Sequence, residues 1–300
     1  MKNNVSVALH GGLGNQLFQF ATGLSVARQH RLPLTLDLTW FDMAPHLPNT
    51  TIRKYALEPF GVDFPTYRTP TPEGSPARFL LYRVMRKLKR HLGISAPGVT
   101  TLNEKSFRFD PGVLSATPPL YLFGYWQSPL YFDRIRPELT AMLGKPRQMN
   151  EATSLLHEQI RNADAICLHV RRGDYVTNQQ AASTHGLCDM SYYQTGLAHV
   201  RQGLAAPHAF LFSDDPQWVR ANLKLDIPMT VVDVNGPDDA HQDLWLMAAC
   251  KRFVIANSSL SWWGAWLSDA QSKIVVAPRK WFADDKLDTT DLIPQDWLRV

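Results

Sequence analysis

The segment "AICLHVRRGDY" carries an apolar run straight into His169, Arg171, Arg172, Asp174 and Tyr175. Two adjacent guanidinium groups at a strand end are costly to hold together unless something anionic meets them. Their fork of N–H donors fits phosphate oxygens bidentately, so a diphosphate is the natural guest. Side chains alternate along extended chain, which puts His169 and Arg171 on one face and turns Arg172 to the other. The alternative is an internal ion-pair site in which Asp174 holds Arg172.

Two further segments end in polar groups. "FLFSDD" stops at Ser213, Asp214 and Asp215, and Pro216 opens the helix that follows. One aspartate suits the helix N-cap. The other is left to read a base or a ribose; guanine offers the adjacent N–H donors that a carboxylate bridges. In "VIANSSLSWWGAWL", Asn257, Ser258, Ser259 and Ser261 lie between a strand and a helix. Hydroxyls and open backbone N–H groups at a helix N-terminus make either a phosphate site or an ordinary serine cap.

Near the start, "VSVALHGGLGNQLFQFATG" sets Gly11, Gly12 and Gly14 in a turn before a helix. With a second apolar run ending near Asp37, this outlines a dinucleotide-binding βαβ unit. The third glycine position is Leu17, however, and a nicotinamide-dependent oxidoreductase leaves the double arginine and the serine loop unexplained. Asn15 and Gln16 then read as amides for phosphate or sugar oxygens, or Asn15 as a helix cap.

These groups need strands to carry them. "VSVAL", "PLTLDL", "AICLHV", "AFLFSDD", "MTVVDV", "RFVIANS" and "KIVVAP" read as strands alternating with helical segments in both halves. That rhythm predicts two parallel, Rossmann-like α/β domains with ligand groups at the carboxyl ends of their strands. At 300 residues the chain has length for two cores. The junction is expected at the polar break "GKPRQMN", giving domains 1–150 and 151–300. Trp262, Trp263 and Trp266 read as core and cleft wall.

Composition narrows the class. Hydrophobic residues at 45% and charged residues at 19% suit a folded protein. A net charge of +4 fits an anionic small ligand and is too weak to argue for nucleic acid. Cys167, Cys188 and Cys250 form no CxxC pair, which favours a reducing, cytoplasmic setting, with Cys167 and Cys250 in the core. No stretch approaches a membrane span. Segment 78–92, "RFLLYRVMRKLKRHL", places Leu81, Val84, Met85, Leu88 and Leu92 on one helical face among basic residues. It is either a helix packed on its domain or one lying on the anionic inner face of a membrane.

Together and in this order, "HGGLGNQLFQFATG", "HVRRGDY", "FSDD" and "NSSLSWWGAWL" resemble the bacterial α-1,2-fucosyltransferases of glycosyltransferase family 11. "HVRRGDY" matches that family's HxRRxDY donor motif residue for residue, and "VVAPRKWF" is similar to its closing segment. The resemblance implies a GT-B fold, with the donor GDP-β-L-fucose held mainly by the C-terminal domain and the N-terminal domain on the acceptor side. It implies transfer with inversion to the 2-hydroxyl of a galactose-terminated acceptor in O-antigen or other surface-glycan synthesis, with no cofactor and no divalent metal. No Asp-x-Asp of the metal-using sugar transferases is present in the aspartate pairs at 214–215 and 238–239. Arg171 is expected on the β-phosphate with Arg172 beside it, and Asn257, Ser258, Ser259 and Ser261 on phosphate oxygens. Asp214 or Asp215 would read guanine or ribose. The resemblance puts Gly12, Gly14, Asn15 and Gln16 across the cleft, facing the donor. His169 and Asp174, and more weakly Asp37, are the candidates for a base on the acceptor hydroxyl. The alternatives are a transferase for another GDP-sugar and a non-catalytic carbohydrate-binding protein with "YLFGYWQ" as its sugar-stacking surface.

Overall fold

The computed structural model describes residues 3–47, 50–70, 81, 84, 85, 88, 98–173 and 186–300. The chain divides into two compact units. The first takes Met1–Glu58, Val62–Glu138 and Thr290–Leu292; the second takes Pro59–Gly61, Leu139–Thr289 and Ile293–Val300. The sequence expectation set the junction at residue 150, and the chain passes from one unit to the other at Glu138 and Leu139.

The first unit is built on five strands: β1 (Val5–Ala8), β2 (Leu34–Asp37), β3 (Thr66–Tyr67), β4 (Thr100–Asn103) and β5 (Leu120–Phe123). They lie in the order β3-β2-β1-β5-β4, and every pair is parallel. Central β1 is buried on both faces, as a parallel sheet requires. Helix α1 (Leu13–His30) packs on it so closely that a Cβ on Gly23 would sit 2.8 Å from Val7 Cγ1. α1 is interior on every side from Leu13 to Ala27 except at Asn15, and Gln16, Gln19 and Ser25 bond to backbone outside the helix. Ser25 Oγ donates to the carbonyl of Tyr131 at 2.6 Å, and Gln19 Oε1 accepts the N–H of His10 at 2.9 Å.

The second unit carries β6 (Asp164–Val170), β7 (Pro207–Ser213), β8 (Met229–Val231), β9 (Arg252–Val254), β10 (Ile274–Ala277) and β11 (Leu298–Arg299). Their order is β11-β10-β9-β6-β7-β8, again parallel throughout. Ile166, Leu168 and Val170 point to one core face, where the helix Met190–Val200 covers them with Tyr192, Tyr193, Leu197 and Val200. Cys167 and Cys250 are fully buried, and burial raises the Cys167 thiol well above its ordinary range. Trp262, Trp263 and Trp266 are interior on the helix Ser259–Leu267, with ring centroids 5.0–6.1 Å apart.

Each unit is therefore a Rossmann-like α/β body, and the chain has the two such bodies that the GT-B resemblance implies. Of the amphipathic segment 78–92, only Leu81, Val84, Met85 and Leu88 are described. They are helical and 45–63% exposed.

Candidate donor site and an aromatic strand edge

Registry assembles the charged site of the second unit. β6 lies between β7 and β9, with Val170 opposite Ser213 and Leu168 opposite Val254. The residues that follow these strands are Arg171, Asp214 and the 255–259 turn, so three neighbouring carboxyl ends converge. Asp214 sits between the two arginines: Oδ2 meets Arg171 Nη1 at 2.7 Å, and Oδ1 accepts the Arg172 N–H at 2.9 Å. Both partners of the Arg171–Asp214 pair keep just over a fifth of their side-chain surface exposed. Gly173 belongs to the same device, because a Cβ there would lie 2.2 Å from Asp214 Oδ2.

Arg172 has different side-chain partners. Its guanidinium lies 3.8 Å above the Trp218 ring, and Nε is 3.7 Å from Asp215 Oδ2. Asp215 is the N-cap of the helix Pro216–Asn222, accepting the Trp218 N–H at 3.0 Å. Asp174 and Tyr175 lie outside the described residues. His169 is 4% exposed, and its Nδ1 has no hydrogen-bond partner among the described residues. Burial, helped by the Arg171 charge and opposed by that of Asp214, pushes its pKa down to about 4. The ring is neutral at pH 7.

The serine turn divides into structural and open groups. Asn257 is buried and spends its amide on the carbonyls of Trp281 (3.3 Å) and Gly186 (3.4 Å). Ser261 is also interior and bonds back to the Ser258 carbonyl at 3.2 Å. Ser258 is the N-cap of the helix Ser259–Leu267 and makes no side-chain cap bond. Ser258 and Ser259, both half-buried, stand beside the first-turn N–H groups that a helix cannot satisfy itself. Among the described residues, no group of three or more His, Cys, Asp or Glu side chains is placed to hold a metal ion.

In the first unit the glycine turn is a backbone device. Gly11 has φ 78°, a left-handed conformation that favours glycine. Gly12, not Asn15, is the N-cap of α1, and no side chain caps that end. Asn15 Oδ1 instead accepts from Gln127 Nε2 at 2.8 Å. Gln16 is fully buried: Nε2 donates to the carbonyls of Gly11 and Lys54, and Oε1 accepts the Ala56 N–H. Asp37 accepts from Tyr121 Oη at 2.7 Å and from the Thr39 N–H at 2.9 Å, so it serves as a hub for the end of β2.

Residues 102–300 match glycosyl transferase family 11. An alpha-1,2-colitosyltransferase of Escherichia coli is 30% identical, over 99% of this chain and 98% of that protein. The chain belongs to glycosyl transferase family 11. It is also similar to the Escherichia coli O-antigen biosynthesis glycosyltransferase WbnK, at 28% identity over 97% of this chain and 99% of that one. A galactoside 2-alpha-L-fucosyltransferase of Caenorhabditis elegans is 28% identical over 59% of this chain and 51% of that protein. Among solved structures, a NodZ alpha-1,6-fucosyltransferase soaked with GDP-fucose covers 89% of this chain and 93% of its own, with a TM-score of 0.45 and 14% identity.

For a family 11 glycosyltransferase, the charged strand ends include parts that sequence reasoning missed. Trp218 is the stacking partner of Arg172, and its one local signal is its place in the first turn after "SDDP". The Asp214 bridge and the need for glycine at 173 depend on pairing across about forty residues and leave no local mark.

Proposed function

We propose that this family 11 glycosyltransferase moves L-fucose from GDP-β-L-fucose to the 2-hydroxyl of a terminal galactoside during surface-glycan synthesis. The observation that carries the reading is the arginine pair at the end of β6, held by Asp214 from the end of β7 and neighboured by the turn after β9, which leads to a helix N-terminus without a side-chain cap. In the reaction the bond from the fucose C1 to the β-phosphate oxygen breaks, and the acceptor oxygen bonds C1 from the opposite face. The β-linkage becomes α, and GDP and one proton are released.

Charge grows on the departing diphosphate as the sugar becomes oxocarbenium-like. Donors already aimed at that charge contribute most to such catalysis. Arg171, held by Asp214, takes the β-phosphate; Arg172, fixed over Trp218, adds positive charge beside it. Ser258, Ser259 and the N–H groups of their helix receive phosphate oxygens. His169 serves as a neutral wall and hydrogen-bonding group, since a ring that protonates only near pH 4 is a poor base at neutral pH. We expect activity to survive chelation of divalent metals, and loss of turnover in EDTA counts against this assignment.

A second reading has specific support: the 30%-identical relative is named a colitosyltransferase. Colitose is L-fucose without its 3-hydroxyl, so GDP-colitose presents the same diphosphate to the same arginines. The test is a donor screen by mass spectrometry, with GDP-fucose, GDP-colitose, GDP-mannose and UDP-galactose against a galactoside panel. Transfer from GDP-fucose supports the first reading, transfer from GDP-colitose alone supports the second, and transfer from neither sinks both.

No helix among the described residues is long and apolar enough to cross a membrane. We propose a peripheral contact instead, through the open face of Leu81, Val84, Met85 and Leu88 within a stretch rich in arginine and lysine. Flotation with anionic liposomes at low salt tests it; protein that stays at the bottom of the gradient refutes it.

A further inference from the structure

The first unit has its own convergence of strand ends, and its chemistry is not ionic. β2, β1 and β5 are neighbours, and the residues at or just past their carboxyl ends are Trp40, His10, Phe123 and Tyr125. The His10 ring is the centre of the group. Its centroid is 4.7 Å from Tyr125 (edge-on), 5.4 Å from Phe123 (stacked) and 6.2 Å from Trp40. Exposure is graded: His10 is buried, Phe123 and Trp40 are half-buried, and Tyr125 is 38% exposed.

The turn that presents Tyr125 is over-determined. Trp126 has φ 58°, a left-handed conformation that costs a bulky residue on the order of 1–3 kcal/mol. It is held there by Glu104, whose two carboxylate oxygens accept the N–H groups of Tyr125 (2.7 Å) and Trp126 (2.8 Å). The Trp126 ring is buried at 5.6 Å from Tyr131, and a Cβ on Gly124 would lie 2.3 Å from Glu104 Cβ. Strain so firmly enforced points to a purpose beyond folding, and its result is an aromatic side chain turned outward from an apolar run. Beside it, Gln127 is more than nine-tenths buried, ties to the glycine turn through Asn15, and has an Oε1 without a hydrogen-bond partner among the described residues.

We propose that this edge is the subsite for the acceptor sugar, with the C–H face of a terminal galactoside stacked on Tyr125 and flanked by Trp40. A pyranose needs an apolar platform for its C–H face and fixed polar groups for its hydroxyls. The aromatic rings supply the first; His10 and the Asn15–Gln127 amides supply the second. The proposal rests on the reading of the chain as a galactoside-directed transferase, and it adds the residues that select the acceptor.

The test is donor-independent binding of a galactoside panel, lactose included, followed by ligand-observed NMR. It uses the whole chain as wild type, Tyr125→Ala and Tyr125→Phe. Loss of one stacking ring weakens binding by about tenfold in Tyr125→Ala, while Tyr125→Phe stays within about twofold. In turnover, the acceptor KM moves by the same factor and the donor KM does not. A folded Tyr125→Ala that binds like wild type overturns the proposal, as does a wild type that binds no galactoside. Galactoside binding through Tyr125 without turnover of any GDP-sugar would sink the transferase reading and leave this subsite standing.

Discussion

Two strand edges of one chain, each at the carboxyl side of a parallel sheet, are built on opposite principles. In the second unit, the side chains past β6 and β7 are held by charge. Asp214 bridges Arg171 and the Arg172 backbone, and Arg172 rests on Trp218. In the first unit, the residues past β1, β2 and β5 are held by packing and by a forced turn. His10 sits among three aromatic rings, and Glu104 pins two backbone N–H groups. The same architecture thus carries two kinds of surface, one charged and one aromatic. Their sensitivities should differ accordingly. The arginines of the charged edge should govern turnover with little effect on folding, and the aromatic edge should govern folding and acceptor affinity together.

The strongest way to break that contrast is at Arg171. Arg171→Ala should lower turnover about 10²–10³-fold, the scale of losing one preorganised donor. Its melting midpoint should stay close to wild type, because both partners of the ion pair are partly exposed. A folded variant within a few-fold of wild type would remove Arg171 from the reaction. His169 gives the next largest effect, through pH. Its folded pKa of about 4 lies below the ordinary value of 6.5, so the unfolded chain takes up the proton first on acidification. The contribution is complete above pH 6.5 and is lost as the pH falls toward 4, with a magnitude on the order of 3 kcal/mol. Asp243, raised to about 6 by burial, works in the opposite direction in the same acid range, so the comparison must be differential. Urea unfolding at pH 7 and pH 4.5 should show a smaller acid loss in His169→Gln than in wild type; equal losses would contradict it.

Much of the charged edge was legible in sequence because its parts are local. An apolar strand followed by Arg171 and Arg172 announces itself, as do the proline after Asp215 and the serines before Trp262. The partner of Arg171 was not legible: Asp214 reaches it through registry between β6 and β7, and nothing near either residue encodes that pairing. The interior of α1 was only half visible for the same reason. Gln16, Gln19, Thr22 and Ser25 are polar, yet all are buried, and Gln16, Gln19 and Ser25 bond to groups outside the helix. Asn15 reads from sequence as an amide for phosphate or sugar oxygens or as a helix cap; it caps no helix, and its amide reaches a residue 112 positions away. β4 and β11 gave no strand signal, being short and poor in continuous apolar residues. The aromatic edge was visible as composition in "YLFGYWQ" and invisible as geometry, because a left-handed tryptophan has no sequence signature.

Two smaller changes sharpen the aromatic side. Glu104→Gln leaves one carbonyl oxygen for two N–H groups and should cost about 1–3 kcal/mol in urea unfolding, with a weakened acceptor KM alongside. Stability lost without any change in acceptor KM would make the turn a folding device only. Asn15→Ala should have the smallest effect of all. It removes the acceptor of the Gln127 amide, one neutral hydrogen bond, worth about 1 kcal/mol. Because Asn15 caps no helix, the loss should come from Gln127, and Gln127→Ala in the same background should add almost nothing further. Strict additivity of the two changes would mean that the amides act separately. The link between the glycine turn and the turn that carries Tyr125 would then have no energetic content. Coupling with unchanged donor KM would place Asn15 with the aromatic edge, apart from the arginines.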